Sequence, residues 1–215
     1  MKKTQVCYLA SLFLLLSFGV TVAQDFDPEY IKVTNDRARK IVENINIGDQ
    51  EKEEKVKGYV AAQYRNLSLI HDERDQRIKD AKEKYSGDKR EKHISRIEKE
   101  ADKKLKKLHK QYLAQLSSEL SDHQVDQVKD GMTYGVAPNT FKVYQEMVPT
   151  LTEEQKEKIW MWLVEARENA MDAGTSKDKH AWFGKYKGRI NNYLSSLGID
   201  MKEAEKEMYS RQARQ

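Results

Sequence analysis

The chain has little with which to staple or bend itself. Its single cysteine, Cys7, sits in the first apolar stretch, so a disulfide framework is excluded and the rest of the chain must be held by its core alone. Cys7 also lacks the small-residue context of a lipoprotein site, which argues against lipid attachment. Only 3 prolines and 10 glycines interrupt 215 residues, too few breakers for a fold of many short elements and suited to long solvated helices. Charge of one sign is lacking too. The formal net charge is +4, and Lys2 and Lys3 account for two of those charges, so the chain beyond them stands near +2 and a nucleic-acid partner is not implied. Reaction signatures are missing as well: the sequence contains no G-x-S-x-G elbow, no G-x-x-x-x-G-K-[ST] loop, no H-E-x-x-H pair and no calcium loop. Neither a cofactor nor a metal is expected, and no catalytic residue is assigned.

What is present begins with Lys2 and Lys3 ahead of an apolar run from Val6 to Val22. Thr21-Val22-Ala23 then offers the small side chains before which a signal peptidase cuts, leaving Gln24 as the new terminus. Residues 1–23 read as a signal peptide and not a membrane anchor. The implied destination is the periplasm or the cell exterior.

A short N-terminal segment, 24–48, follows. Pro28 opens its ordered part, and Asp36 to Ile45 sets Ala38, Ile41, Val42 and Ile45 on one helical face. Asp49 caps the next helix, from Gln50 to about Lys84, on which Val56, Val60, Tyr64, Leu67, Ile70, Arg74, Ile78 and Ala81 step along one side. Ser86-Gly87-Asp88 reverses the chain. A second long helix, from about Lys89 to Leu120, carries Ile94, Ile97, Ala101, Leu105, Leu108, Tyr112 and Leu116. Two helices joined so briefly should lie antiparallel, making 49–120 a helical hairpin. Between His71 and Lys110, 25 of 40 residues are charged, 15 of them basic. That composition describes a solvated arm with a thin core, and a surface on which a protein client or partner could dock.

From 121 to 215 the elements shorten into a C-terminal helical bundle, with turns marked by Gly131, Gly135, Pro138, Pro149, Gly174 and Gly198. Ser121-x-x-Gln124 and Thr152-x-x-Gln155 read as capping boxes, each stapled by a preceding leucine. Asn139 is placed to cap a short helix from Thr140 to Met147. A helix from Glu153 to Ala173 should bury Ile159, Leu163, Ala166 and Ala170 and show Trp160, Val164, Arg167 and Met171 beside them. The fold class is therefore all-α: a long antiparallel hairpin plus a C-terminal bundle.

Lys179 to Leu197 concentrates the most varied chemistry. Trp182, Tyr186, Ile190, Tyr193 and Leu197 form an apolar stripe, and Ala181, Gly184, Gly188, Asn192 and Ser195 a small-residue stripe beside it. All three tryptophans fall on this helix and the one before it. An aromatic face flanked by amide, imidazole and cationic groups is what a sugar ring requires, since its C–H face stacks and its hydroxyls take directed hydrogen bonds. The same rings could simply be core. On the binding reading Trp160, Trp182 and Tyr186 stack against a saccharide while His180, Lys185, Arg189 and Asn192 hold its hydroxyls.

Four segments, KDGMTYGV from Lys129, PTLTEEQ from Pro149, AMDAG from Ala170 and KHAWFGKYKGRINNYL from Lys179, resemble an uncharacterised family of exported proteins, found mainly in Bacteroidetes and labelled sugar-binding. The resemblance covers essentially the whole chain after the leader and implies a carbohydrate-related role. A shorter similarity competes with it. Leu120-Ser121-x-x-Gln124 and Leu151-Thr152-x-x-Gln155 look like the paired L-T-x-x-Q motifs of small periplasmic helical chaperones, with serine in place of threonine in the first.

Overall fold

The computed structural model describes residues 26–214, so the expected signal peptide lies outside the described residues. Within them the chain is all-helical, with eight helices and no strand. These are α1 (Pro28–Val42), α2 (Gln50–Lys84), α3 (Gly87–Glu119), α4 (Asp122–Met132), α5 (Val136–Met147), α6 (Glu153–Met171), α7 (Ser176–Ser196) and α8 (Met201–Gln212). None of them is long and apolar enough to cross a membrane.

Local chemistry explains most boundaries. Asp49 accepts hydrogen bonds from the backbone N–H groups of Glu51 and Lys52 to open α2. Ser121 and Thr152 each form the expected reciprocal capping box, with Gln124 and Gln155. At the end of α7, Ile199 donates to the Leu194 carbonyl and Gly198, at φ +86°, to that of Ser195: a Schellman turn. Two helices start earlier than the sequence reading placed them. Helix α1 begins at Pro28, capped by Asp27, because proline needs no N–H donor in a first turn. Helix α5 begins at Val136 after the left-handed Gly135, with Pro138 tolerated in its first turn, so Asn139 is a helical residue rather than the cap.

Two apolar cores share the chain. The first joins α1, α2, α3 and α4 through residues such as Val42, Val60, Leu116, Val128 and Met132. The second joins α5, α6 and α7 around Ile159, Leu163, Phe183, Ile190 and Leu194, with α8 laid against it. Beyond His71 and Lys104 the hairpin has only itself to pack on: Ala81, Ile97 and Ala101 fill its seam, while Arg77–Glu100 and Lys104–Glu73 bridge the two helices.

Two side chains expected at the surface of α6 are inside. Met171 enters the first core, and Arg167, 2% exposed, reaches between the cores to Asp130 (2.9 Å) and Asp126 of α4. The phase of α7 also differs. Its buried stripe runs Lys179, Phe183, Tyr186, Ile190, Leu194, which leaves Trp182 and Tyr193 half-covered and Leu197 exposed. The helix has rotated to bury Phe183, because the aliphatic side of α6 meets that edge rather than the tryptophan edge.

Candidate functional site

Where the two cores meet, the end of α6 and the start of α7 cross the hairpin and leave an open cleft of about 690 Å³. Its α2 wall contributes His71 and Arg74, its α3 wall Asp102 and Lys106, and its far side Asn169, Asp172, Asp178, Trp182 and Lys185. Gly174 sets the approach: a Cβ built there would lie 2.8 Å from the His71 ring, so only a hydrogen lets the α6–α7 link sit against that imidazole.

The floor of the cleft is a buried polar system. His71 Nε2 lies 2.8 Å from the Asp172 backbone carbonyl. A carbonyl can only accept, so Nε2 carries a proton, and in the neutral ring Nδ1 is then the acceptor. That Nδ1 has no hydrogen-bond partner although His71 is only 8% exposed. Oδ1 of Asp172 is likewise buried and without a partner, whereas Oδ2 meets His109 Nδ1 at 2.8 Å. The Asp172 hydrogen bond raises the His109 pKa above its ordinary value, helped by the Asp172 and Glu168 charges and opposed by burial. Two acceptors thus lie unanswered and closed to solvent within the residues that line this cleft. Each orphaned polar group costs roughly 1–3 kcal/mol unless something donates to it.

At the rim, Trp182 is half-buried, and the Lys185 ammonium stands 5.0 Å from its ring centroid. Arg74 is turned toward its neighbour Asp75, 2.7 Å away. Cationic and anionic groups roughly balance around the opening, which favours a polar neutral ligand over a strongly charged one.

A family model described as a protein of unknown function, DUF3826, matches residues 31–213. The chain belongs to this family. No curated protein matches it. The DUF3826 description names neither ligand nor source, so the carbohydrate reading rests on residues and geometry alone.

This DUF3826 chain does not gather the seven residues singled out from its sequence on one surface. Trp182 and Lys185 line the cleft. His180, on the opposite flank of α7, stacks on Tyr134. Trp160 leans on Phe141 over a separate surface depression between α5 and α6. Tyr186 is buried, and burial together with Glu165 pushes its phenol up to about 12. Arg189 covers Trp162 at 4.6 Å and pairs with Glu165 at 3.5 Å, and Asn192 is exposed on the outer face. Around Gly184 and Gly188 a Cβ would meet nothing, so the small-residue stripe faces open space.

Sequence reasoning missed the cleft's floor. From sequence His71 falls near the hairpin seam, and Asp172 joins Glu165 and Glu168 in a carboxylate row expected to ion-pair with Lys185, Lys187 and Arg189; nothing local says that residues 101 positions apart meet. The one available signal was AMDAG, where a glycine closely follows an acid at the end of an apolar helix.

Proposed function

We propose that this protein is an exported carbohydrate-binding protein whose saccharide occupies the cleft between the hairpin and the late helices. The observation that carries this reading is the pair of buried, unpartnered acceptors, His71 Nδ1 and Asp172 Oδ1, beneath a half-exposed tryptophan. Sugar hydroxyls are donors of the kind those atoms lack; both atoms are closed to solvent, so the lining side chains part as the hydroxyls arrive, and the indole supplies a face for the pyranose C–H surface. Asn169 and Asp178 stand ready for further hydroxyls, and Lys185, itself exposed, can swing from the Trp182 face as a ring arrives. The leader pattern of residues 1–23 supports export.

Titration calorimetry against cello-, xylo-, manno- and chitotetraose tests this. Saturable binding to at least one is expected, with Trp182→Ala and Asp172→Asn each weakening it by about tenfold or more, since one lost buried hydrogen bond or stacking contact removes on the order of 1–3 kcal/mol. Heat signals absent for all four sugars, or a Trp182→Ala protein that binds like the parent, would count against the proposal.

A further inference from the structure

The other flank of α7 carries a second feature, centred on the KDGMTYGV segment. Helix α4 ends in a Schellman turn: Gly135 donates to the Asp130 carbonyl at 2.8 Å and Tyr134 to that of Gly131 at 3.4 Å. The residue at the turn's left-handed position is Tyr134, at φ +61°. Helix α7 closes with the same turn and places Gly198 there. A Cβ in the left-handed region is disfavoured, and glycine is the usual solution. The chain therefore uses the relaxed residue at one turn and a strained, bulky one at the other. Tyr134 does not repay that strain by burial, because it is 56% exposed.

Its ring instead lies against His180, centroids 5.5 Å apart and planes within 19°. His180 is fixed in turn: its Nδ1 lies 2.8 Å from the Ser176 carbonyl, so Nδ1 carries a proton, and in the neutral ring Nε2 is an acceptor at the surface. The result is a two-ring platform edged by a phenol hydroxyl and an imidazole acceptor. His180 and Trp182, two residues apart on one helix, point about 200° apart. The platform is thus a separate surface from the cleft.

We propose that Tyr134 and His180 form a second saccharide contact, so that a polymeric glycan is gripped at two points on either side of α7. The inference rests on the carbohydrate reading for its ligand class, and its own support is the strained, exposed aromatic. A short oligosaccharide engages only the cleft. A polymer that also reaches the platform gains by effective concentration, with no new cleft contact.

The test uses the mature chain with Tyr134→Gly, Tyr134→Phe and Trp182→Ala. Retention in affinity gels containing soluble xylan, mannan, hydroxyethylcellulose or glycol chitosan is compared with calorimetry on the matching tetrasaccharides. Tyr134→Gly should weaken retention by about tenfold or more and leave tetrasaccharide binding unchanged, while its melting temperature rises by about 2 °C as the strain is released. Tyr134→Phe should retain polymer binding, because the ring and its stack persist. Polymer affinity within about twofold of the parent for Tyr134→Gly, on the scale of that expected loss, overturns the second contact. Loss of polymer by Tyr134→Gly alongside unaltered tetrasaccharide binding by Trp182→Ala would instead remove the cleft reading and leave the platform standing. A parent chain retained by none of the four gels overturns the second contact, and one that also binds none of the tetrasaccharides overturns the cleft as well.

Discussion

Lys179 shows how one residue sets a measurable property of the molecule. Only 5% exposed, it donates to the carbonyls of Met132 at 3.1 Å and Met171 at 3.5 Å, where the negative ends of α4 and α6 converge, and it lies over the Tyr64 ring at 5.7 Å. Burial nevertheless wins and lowers its pKa to about 8, with Asp172 opposing the shift and Arg37 adding to it. The unfolded chain, titrating near 10.5, then binds more protons between pH 8 and 10, so this residue makes stability rise with pH across that window. At about 1.4 kcal/mol per pKa unit the full effect is on the order of 3 kcal/mol. His109 has the opposite sign. Its folded pKa is raised by Asp172, so its contribution is complete below about pH 6.5 and is lost as pH climbs through the folded value. Tyr64, which burial pushes to about 12, takes stability away above about pH 10. Urea unfolding as a function of pH should therefore show a shallow dip near pH 8 followed by recovery toward pH 10. The recovery should be absent in Lys179→Met and the initial decline absent in His109→Gln.

At the scale of elements, the glycines separate places where helices touch from places where they do not. Gly131 of α4 lies beneath Ile41 of α1, and a Cβ there would sit 2.8 Å from the isoleucine Cγ2. Gly131→Ala should cost about 1–3 kcal/mol by overpacking the α1–α4 contact. Gly184 and Gly188, mid-helix on the outer face of α7, would meet nothing. Gly184→Ala and Gly188→Ala should each stabilise by about 0.5–1 kcal/mol through helix propensity. Thermal melts of the three variants check both signs. The same contrast shows how far the sequence could be read. Helix ends were legible because caps and Schellman turns are local; the face of α7 was not, because Trp182 and Phe183 are equally apolar on paper and the partner surface chose between them.

For the whole molecule the decisive feature is the ionic seam between the two cores. Arg167 leaves α6 to meet Asp126 and Asp130 of α4, and Glu168 beside it pairs with Lys129 at 3.0 Å. Burial raises the Asp130 pKa despite the Arg167 guanidinium beside it, so this pairing fixes how the cores sit against each other more than it adds net stability. Breaking it from one side strands a partly buried carboxylate. Arg167→Met should lower stability by about 3–5 kcal/mol and also loosen the coupling between cores. Trp160, Trp162 and Trp182 all belong to the second core or pack on it, so tryptophan fluorescence follows that half, whereas circular dichroism follows every helix. The two urea transitions should coincide in the parent and separate in Arg167→Met. Coincident transitions in the variant would show that apolar contact alone joins the cores.

By itself the sequence determined the helical class, the hairpin and most helix ends, because periodicity, caps and turns act within a few residues and need no distant partner. It also marked Trp182 and Lys185 as chemistry worth testing. Only the tertiary structure decided that α6 and α7 cross the hairpin at His71, that Asp172 and Gly174 close a cleft there, and that Arg167 points inward. The reason is physical: burial and desolvation depend on which surfaces meet, and that is settled by packing between elements far apart in the chain.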